Sequence, residues 1–132
     1  MLDRRYFTTT AISIAALGPT MASASALDAR PFEKAAFTAA QASGAPILIE
    51  VTAPWCPTCK AQAPIIKRIA EKPEFSKLVI FEIDFDTRKD VLRDFNVRQQ
   101  STLILFKGQT ETGRSTGDTN GSSLEALMRS AI

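Results

Sequence analysis

Two cysteines stand two residues apart in Trp55-Cys56-Pro57-Thr58-Cys59, and the 132-residue chain has no others. An apolar run of strand length precedes them and a helical pattern follows. The fold must therefore deliver a sulfur pair at a strand-to-helix turn. At this spacing a thiol pair closes into a small disulfide and reopens, and a thiol at a helix start is held as thiolate near neutral pH. A redox centre fits better than a structural staple, because closing a loop of about four residues removes only roughly 2 kcal/mol of chain entropy. Structural zinc wants four Cys or His ligands. With no His and no third Cys, a single-chain Cys/His zinc site is excluded. A dimer sharing two pairs, or completion by carboxylates, stays open.

The length suits one domain. With 45% hydrophobic and 23% charged residues there is enough apolar material for one modest core. The net charge of +2 is spread with both signs interspersed, which excludes a basic nucleic-acid stripe. No internal repeat is visible.

Residues 1–26 read as an export signal, and residues 27–132 as the folded domain. Arg4 and Arg5 supply positive charge, and residues 8–17 are mildly apolar and uncharged. Gly18-Pro19 breaks the run, and Ala22-Ser23-Ala24 or Ala24-Ser25-Ala26 offers a small-x-small cleavage site. The apolar stretch is too short to span a bilayer comfortably. Arg4-Arg5-Tyr6-Phe7 resembles the twin-arginine export motif, with Asp3 where that motif carries Ser or Thr. Export, to a bacterial periplasm, would put the protein where disulfides persist. A leader left uncleaved would act as a weak membrane anchor.

Phe32, Ala35, Ala36, Ala39 and Ala40 recur at helical spacing before Gly44. Residues 47–51 form a continuous apolar run broken only by Glu50, which predicts a central strand buried on both faces. Residues 60–70 read as a helix with Ile65, Ile66 and Ile69 inward and Pro64 as a kink. Strands are expected over 78–85, 102–106 and 111–116, the last two joined by a turn at Lys107-Gly108-Gln109. A short helix is expected over 88–95. A final one carries Leu124, Leu127, Met128 and Ile132, capped by Ser122 or Ser123. Phe85, Phe95 and Phe106 read as core. Alternating strands and helices imply an α/β domain, a mixed central sheet flanked by helices on both faces.

At this point the chain resembles the thioredoxin family. Ile47-Leu48-Ile49-Glu50-Val51 precedes Ala53-Pro54-Trp55-Cys56 as that family's central strand precedes its motif. Pro64 lies five residues after Cys59, where the family kinks its active-site helix. Asn96-Val97-Arg98, then Ser101-Thr102-Leu103-Ile104-Leu105-Phe106-Lys107-Gly108, match its next strand and turn, and Gly117 falls where the family has a glycine. The likeness spans about residues 31–132 and implies a thioredoxin-like fold. There are three departures. Pro57-Thr58 replaces the usual Gly-Pro and resembles glutaredoxins and Dsb-type proteins. Glu50 stands for a buried Asp. Ser101 stands for a cis-proline, and because a non-proline cis bond costs about 3 kcal/mol the Gln100–Ser101 peptide should be trans.

Cys56, at the start of the following helix and expected to be exposed, is the candidate nucleophile. Cys59, one turn deeper, is the resolving thiol. Pro57 lacks an N–H, and the Thr58 hydroxyl is a substitute donor to the sulfur. Glu50, if it points under Cys59, should have a raised pKa and shuttle that thiol's proton. Trp55, Pro57, Thr58 and Ser101 are the candidate substrate-binding residues; the resemblance implies that Trp55 is a surface platform, and Ser101 offers a hydrogen bond near the sulfurs. The expected function is an exported thiol–disulfide oxidoreductase. It has no bound cofactor beyond the Cys56–Cys59 disulfide and no metal. It would act as a monomer on protein thiols and disulfides, with a membrane-borne redox partner. A metal- or iron–sulfur-binding module and a peptide-binding or chaperone module are the competing readings.

Overall fold

A computed structural model describes residues 28–132, so the expected leader lies outside the described residues. In chain order the elements are β1 (Arg30–Pro31), α1 (Lys34–Ala42), β2 (Pro46–Thr52), α2 (Pro57–Ala70), a 3-10 turn (Pro73–Phe75), β3 (Val79–Asp84), α3 (Lys89–Asp94), β4 (Thr102–Lys107), β5 (Thr110–Thr116) and α4 (Gly121–Arg129). The sheet order is β1-β3-β2-β4-β5. β2 is central, parallel to β3 and antiparallel to β4, so the sheet is mixed as expected.

The period of two along each strand divides the core into two layers. Ile47, Ile49 and Val51 of β2 face one way, with Phe81 and Ile83 of β3 and Ile104 and Phe106 of β4. That layer is closed by Phe37 of α1, by Val91 and Leu92 of α3, and by Phe32. Its phenyl rings meet edge to face: Phe37 lies 5.3 Å from Phe106 and 5.5 Å from Phe95, a geometry that suits the ring quadrupoles. Leu48 faces the other way, with Leu103 and Leu105 of β4, under Ile66 and Ile69 of α2 and Leu124 and Met128 of α4. Glu50 follows Leu48 by two residues and therefore belongs to the α2 side of the sheet.

Several local expectations are corrected. α2 begins at Pro57 rather than at residue 60, and it runs on through Pro64. In α1 the buried anchor is Phe37, while Ala35 and Ala39 face solvent. Ile132 lies beyond α4 and is exposed. The cap of α4 is Asn120, whose side chain accepts from the N–H groups of Ser122 and Ser123; the serines are the donors, not the cap. Asn120→Ala should therefore cost about 1 kcal/mol, read as a lower urea midpoint at unchanged slope. Gly44 and Gly117 take φ of +75° and +74°, and there the absence of a side chain permits the turns.

Candidate active site

β2 ends at Thr52 and α2 starts at Pro57, so a four-residue turn carries the first sulfur across the end of the sheet. Cys56 is the N-cap of α2, in extended conformation, and Pro57 occupies the first helical position. Proline costs little there, because that N–H has no partner inside a helix anyway. The N–H two residues further on does the capping: Cys59 N donates to Cys56 Sγ at 3.1 Å. The expectation that the Thr58 hydroxyl donates to this sulfur is corrected accordingly. Among the described residues the hydrogen-bond partners of Cys56 Sγ are the Cys59 N–H and the Ser101 hydroxyl.

Cys56 and Cys59 are joined as a disulfide, their Cα atoms 5.3 Å apart. Cys56 is 0% exposed and Cys59 8% exposed. The expectation of an exposed Cys56 is thus overturned for the oxidised protein. Both sulfur residues pack with Ala53 and against Phe85, under the loop that carries Ser101. Trp55 next door is 55% exposed, and its indole Nε1 donates to Asp86 Oδ2 at 2.9 Å. It is a surface ring held by one polar contact, as the platform reading requires. Pro57 is exposed and Thr58 half-buried beside it.

Ser101 is buried just ahead of β4, and its hydroxyl lies 3.2 Å from Cys56 Sγ and 3.4 Å from Cys59 Sγ. Its backbone has φ of +61°, and no peptide among the described residues is cis. The trans expectation at Gln100–Ser101 therefore holds. Its N–H donates to Val51 O at 2.8 Å, and its carbonyl accepts from Gly117 N at 3.0 Å.

Glu50 pairs across the sheet with Glu82 on one side and Leu103 on the other. Burial pushes its carboxyl up to about 7, and the neighbouring Glu82 charge adds to the rise. Glu50 and Cys59 open onto one cleft, together with Thr52, Gln62, Ala63 and Glu82.

Sequence reasoning missed Gln62. It is buried, and its Nε2 donates to Ser101 O at 3.3 Å and to Asp118 O at 2.7 Å. It ties α2 to the Ser101 loop and to the loop before α4. The available signal was a polar residue on the buried stripe Cys59, Gln62, Ile66, Ile69. Asp86 and Phe85 were missed as site residues as well, and their pairing with Trp55 and the sulfurs is a long-range contact with no local signature. Among the described residues no group of three or more His, Cys, Asp or Glu is gathered where a metal ion could be held.

The thioredoxin family model matches residues 28–130. "Thioredoxin Asp f 29" of Aspergillus fumigatus is 29% identical over 92 residues, covering 70% of this chain and 83% of that protein. The "Bifunctional thioredoxin reductase/thioredoxin" of Mycobacterium leprae is 35% identical over 75 residues, covering 57% of this chain but only 16% of that protein's length. Among solved structures, Trxlp from Edwardsiella tarda is similar with a TM-score of 0.74 and 44% identity, covering 76% of this chain and 98% of its own.

Proposed function

The chain belongs to the thioredoxin family, and from that premise we propose that it is an exported enzyme exchanging disulfides with protein substrates through Cys56 and Cys59. Family membership together with the Cys56–Cys59 pair supports thiol–disulfide oxidoreductase chemistry in general. One observation carries the assignment of roles: Cys56 Sγ caps α2, receives the Cys59 N–H, and is bonded to Cys59. A sulfur so placed is stabilised as thiolate once the pair is reduced, because unpaired N–H groups and the helix dipole favour negative charge at that end.

The exchange then runs in two steps. Cys56 thiolate attacks a substrate disulfide; that S–S bond breaks, and one substrate sulfur leaves as thiolate. Cys59 loses its proton and attacks Cys56 Sγ. The Cys56–Cys59 bond forms, the bond to substrate breaks, and the second substrate sulfur leaves and is protonated. Two electrons pass from the protein pair to the substrate disulfide, and the reverse sequence oxidises a substrate dithiol. Glu50 is the base for Cys59: with its carboxyl raised to about 7, both its forms are present near neutral pH. Trp55 and Pro57 offer exposed apolar surface beside the sulfurs for the substrate chain.

The test is reduction of a protein disulfide such as insulin, with a chemical reductant recharging the enzyme. Wild type should turn over, and Cys56→Ser should fall to the reductant's background. A wild type no faster than that background would refute the assignment. Export rests on Arg4, Arg5, the uncharged run after them and the small residues at 22–26. The mature protein should begin at or near Ser25 or Leu27, and replacing both arginines with Lys should slow its export if the twin-arginine route is used. Soluble cytoplasmic protein with an intact leader would contradict the proposed location.

A further inference from the structure

We propose that the Ser101 hydroxyl is a catalytic hydrogen-bond donor that serves the two sulfurs in turn, stabilising thiolate first on Cys56 and then on Cys59. This rests on the reading above, in which both sulfurs carry negative charge at successive steps. Three observations support it. The oxygen is nearly equidistant from the two sulfurs, at 3.2 Å and 3.4 Å. The side chain is buried, so water does not compete with it for the sulfurs. And the backbone that aims it is pinned: Ser101 N–H is held by Val51 O, and its carbonyl by Gly117 N and by Gln62. That pinning keeps a serine at φ +61°, a region that favours glycine. An ordinary loop residue at this position would gain by being glycine. A serine kept there delivers a hydroxyl to the reacting atoms.

A hydroxyl has one proton and donates to one acceptor at a time. In the reduced protein it donates to the Cys56 thiolate. Once Cys56 is bonded to substrate, Cys56 Sγ is neutral, and the same proton turns to Cys59 as that thiol ionises. The attack then forms Cys56–Cys59 and releases the substrate sulfur as described above. In the disulfide neither sulfur is charged, so the hydroxyl favours the reduced and mixed states over the oxidised one. Ser101 therefore makes the pair more oxidising than the same fold without the hydroxyl.

Ser101→Gly relaxes the backbone at φ +61° while removing the hydroxyl, and Ser101→Ala removes the hydroxyl alone. The thiolate of the reduced protein is followed by its ultraviolet absorbance as pH is raised, and the dithiol/disulfide equilibrium is measured against glutathione. Losing a hydrogen bond to a charged group should lower the thiolate fraction about tenfold at pH below its midpoint. It should also move the equilibrium about tenfold toward the disulfide, which is about 30 mV for two electrons. Both variants should show these shifts. Titrations that superimpose on wild type would overturn the proposal, even with slower turnover, since slower turnover alone would mark Ser101 as a residue of the substrate groove. Shifted titrations in a protein whose wild type reduces no protein disulfide would instead overturn the enzymatic reading and leave the hydrogen bond standing.

Discussion

Cys59→Ser should accumulate a stable mixed disulfide between Cys56 and a substrate protein, with turnover falling to background. In the proposed exchange the first step needs only the Cys56 thiolate, which keeps its helix N-terminus and its hydrogen bond from the residue 59 N–H. The second step needs a nucleophile at position 59, and a serine hydroxyl at neutral pH is not one. The intermediate should survive until an external thiol releases it. Non-reducing electrophoresis and intact mass would show a one-to-one adduct, and peptide mapping would place it on Cys56. Cys56→Ser should form no such adduct at comparable rate. An adduct found equally on either cysteine in the two single variants would remove the distinction between nucleophile and resolving thiol.

Glu50→Gln should make the oxidised protein more stable at alkaline pH and leave it nearly unchanged in acid. The folded protein holds the Glu50 proton up to about 7, against 4.5 for a free side chain. Between those values the folded state binds more protons than the unfolded one. Stability therefore falls as pH rises through that window and levels off above it. The penalty reached is about 3 kcal/mol. A glutamine has no charge to desolvate and no repulsion with Glu82, so its advantage should grow as pH rises from about 4.5 through about 7 and hold above that. Urea unfolding at both ends of that range measures it. Parallel wild-type and variant profiles would mean that Glu50 is solvated. In the proposed exchange the same substitution removes the base for Cys59, so the loss in turnover near neutral pH should be on the order of 10²-fold. A more stable but slower enzyme is the signature of a buried acid kept for chemistry.

Much of this was legible in local sequence. The run 47–51 announced the central strand because a strand buried on both faces admits only apolar residues, and Glu50 stood out against it for the same reason. The cysteine spacing and the pattern from Ile65 to Ile69 announced α2. Other features depend on partners far along the chain. β1 is two residues long and exists only by pairing Arg30 and Pro31 with Phe81 and Glu82. Gln62 acquires its role only when the Ser101 and Asp118 carbonyls arrive beside it. The burial of Cys56 is not legible locally because a residue at a helix N-terminus reads as exposed, whereas Phe85 and the Ser101 loop close over it. Ser101 was legible as a substituted proline. Its positive φ and its bridge to both sulfurs are consequences of the Val51, Gly117 and Gln62 contacts that fix its backbone.

That Cys56 and Cys59 form one redox unit is tested most directly by equilibrating the protein across a series of glutathione ratios, trapping the thiols by acid and alkylation, and weighing each sample. The expected result is a single two-electron transition in which both thiols appear and disappear together, with no glutathione retained on the protein at the midpoint. Two cysteines that titrate separately, each carrying its own glutathione, or a pair that stays oxidised under every ratio, would contradict it.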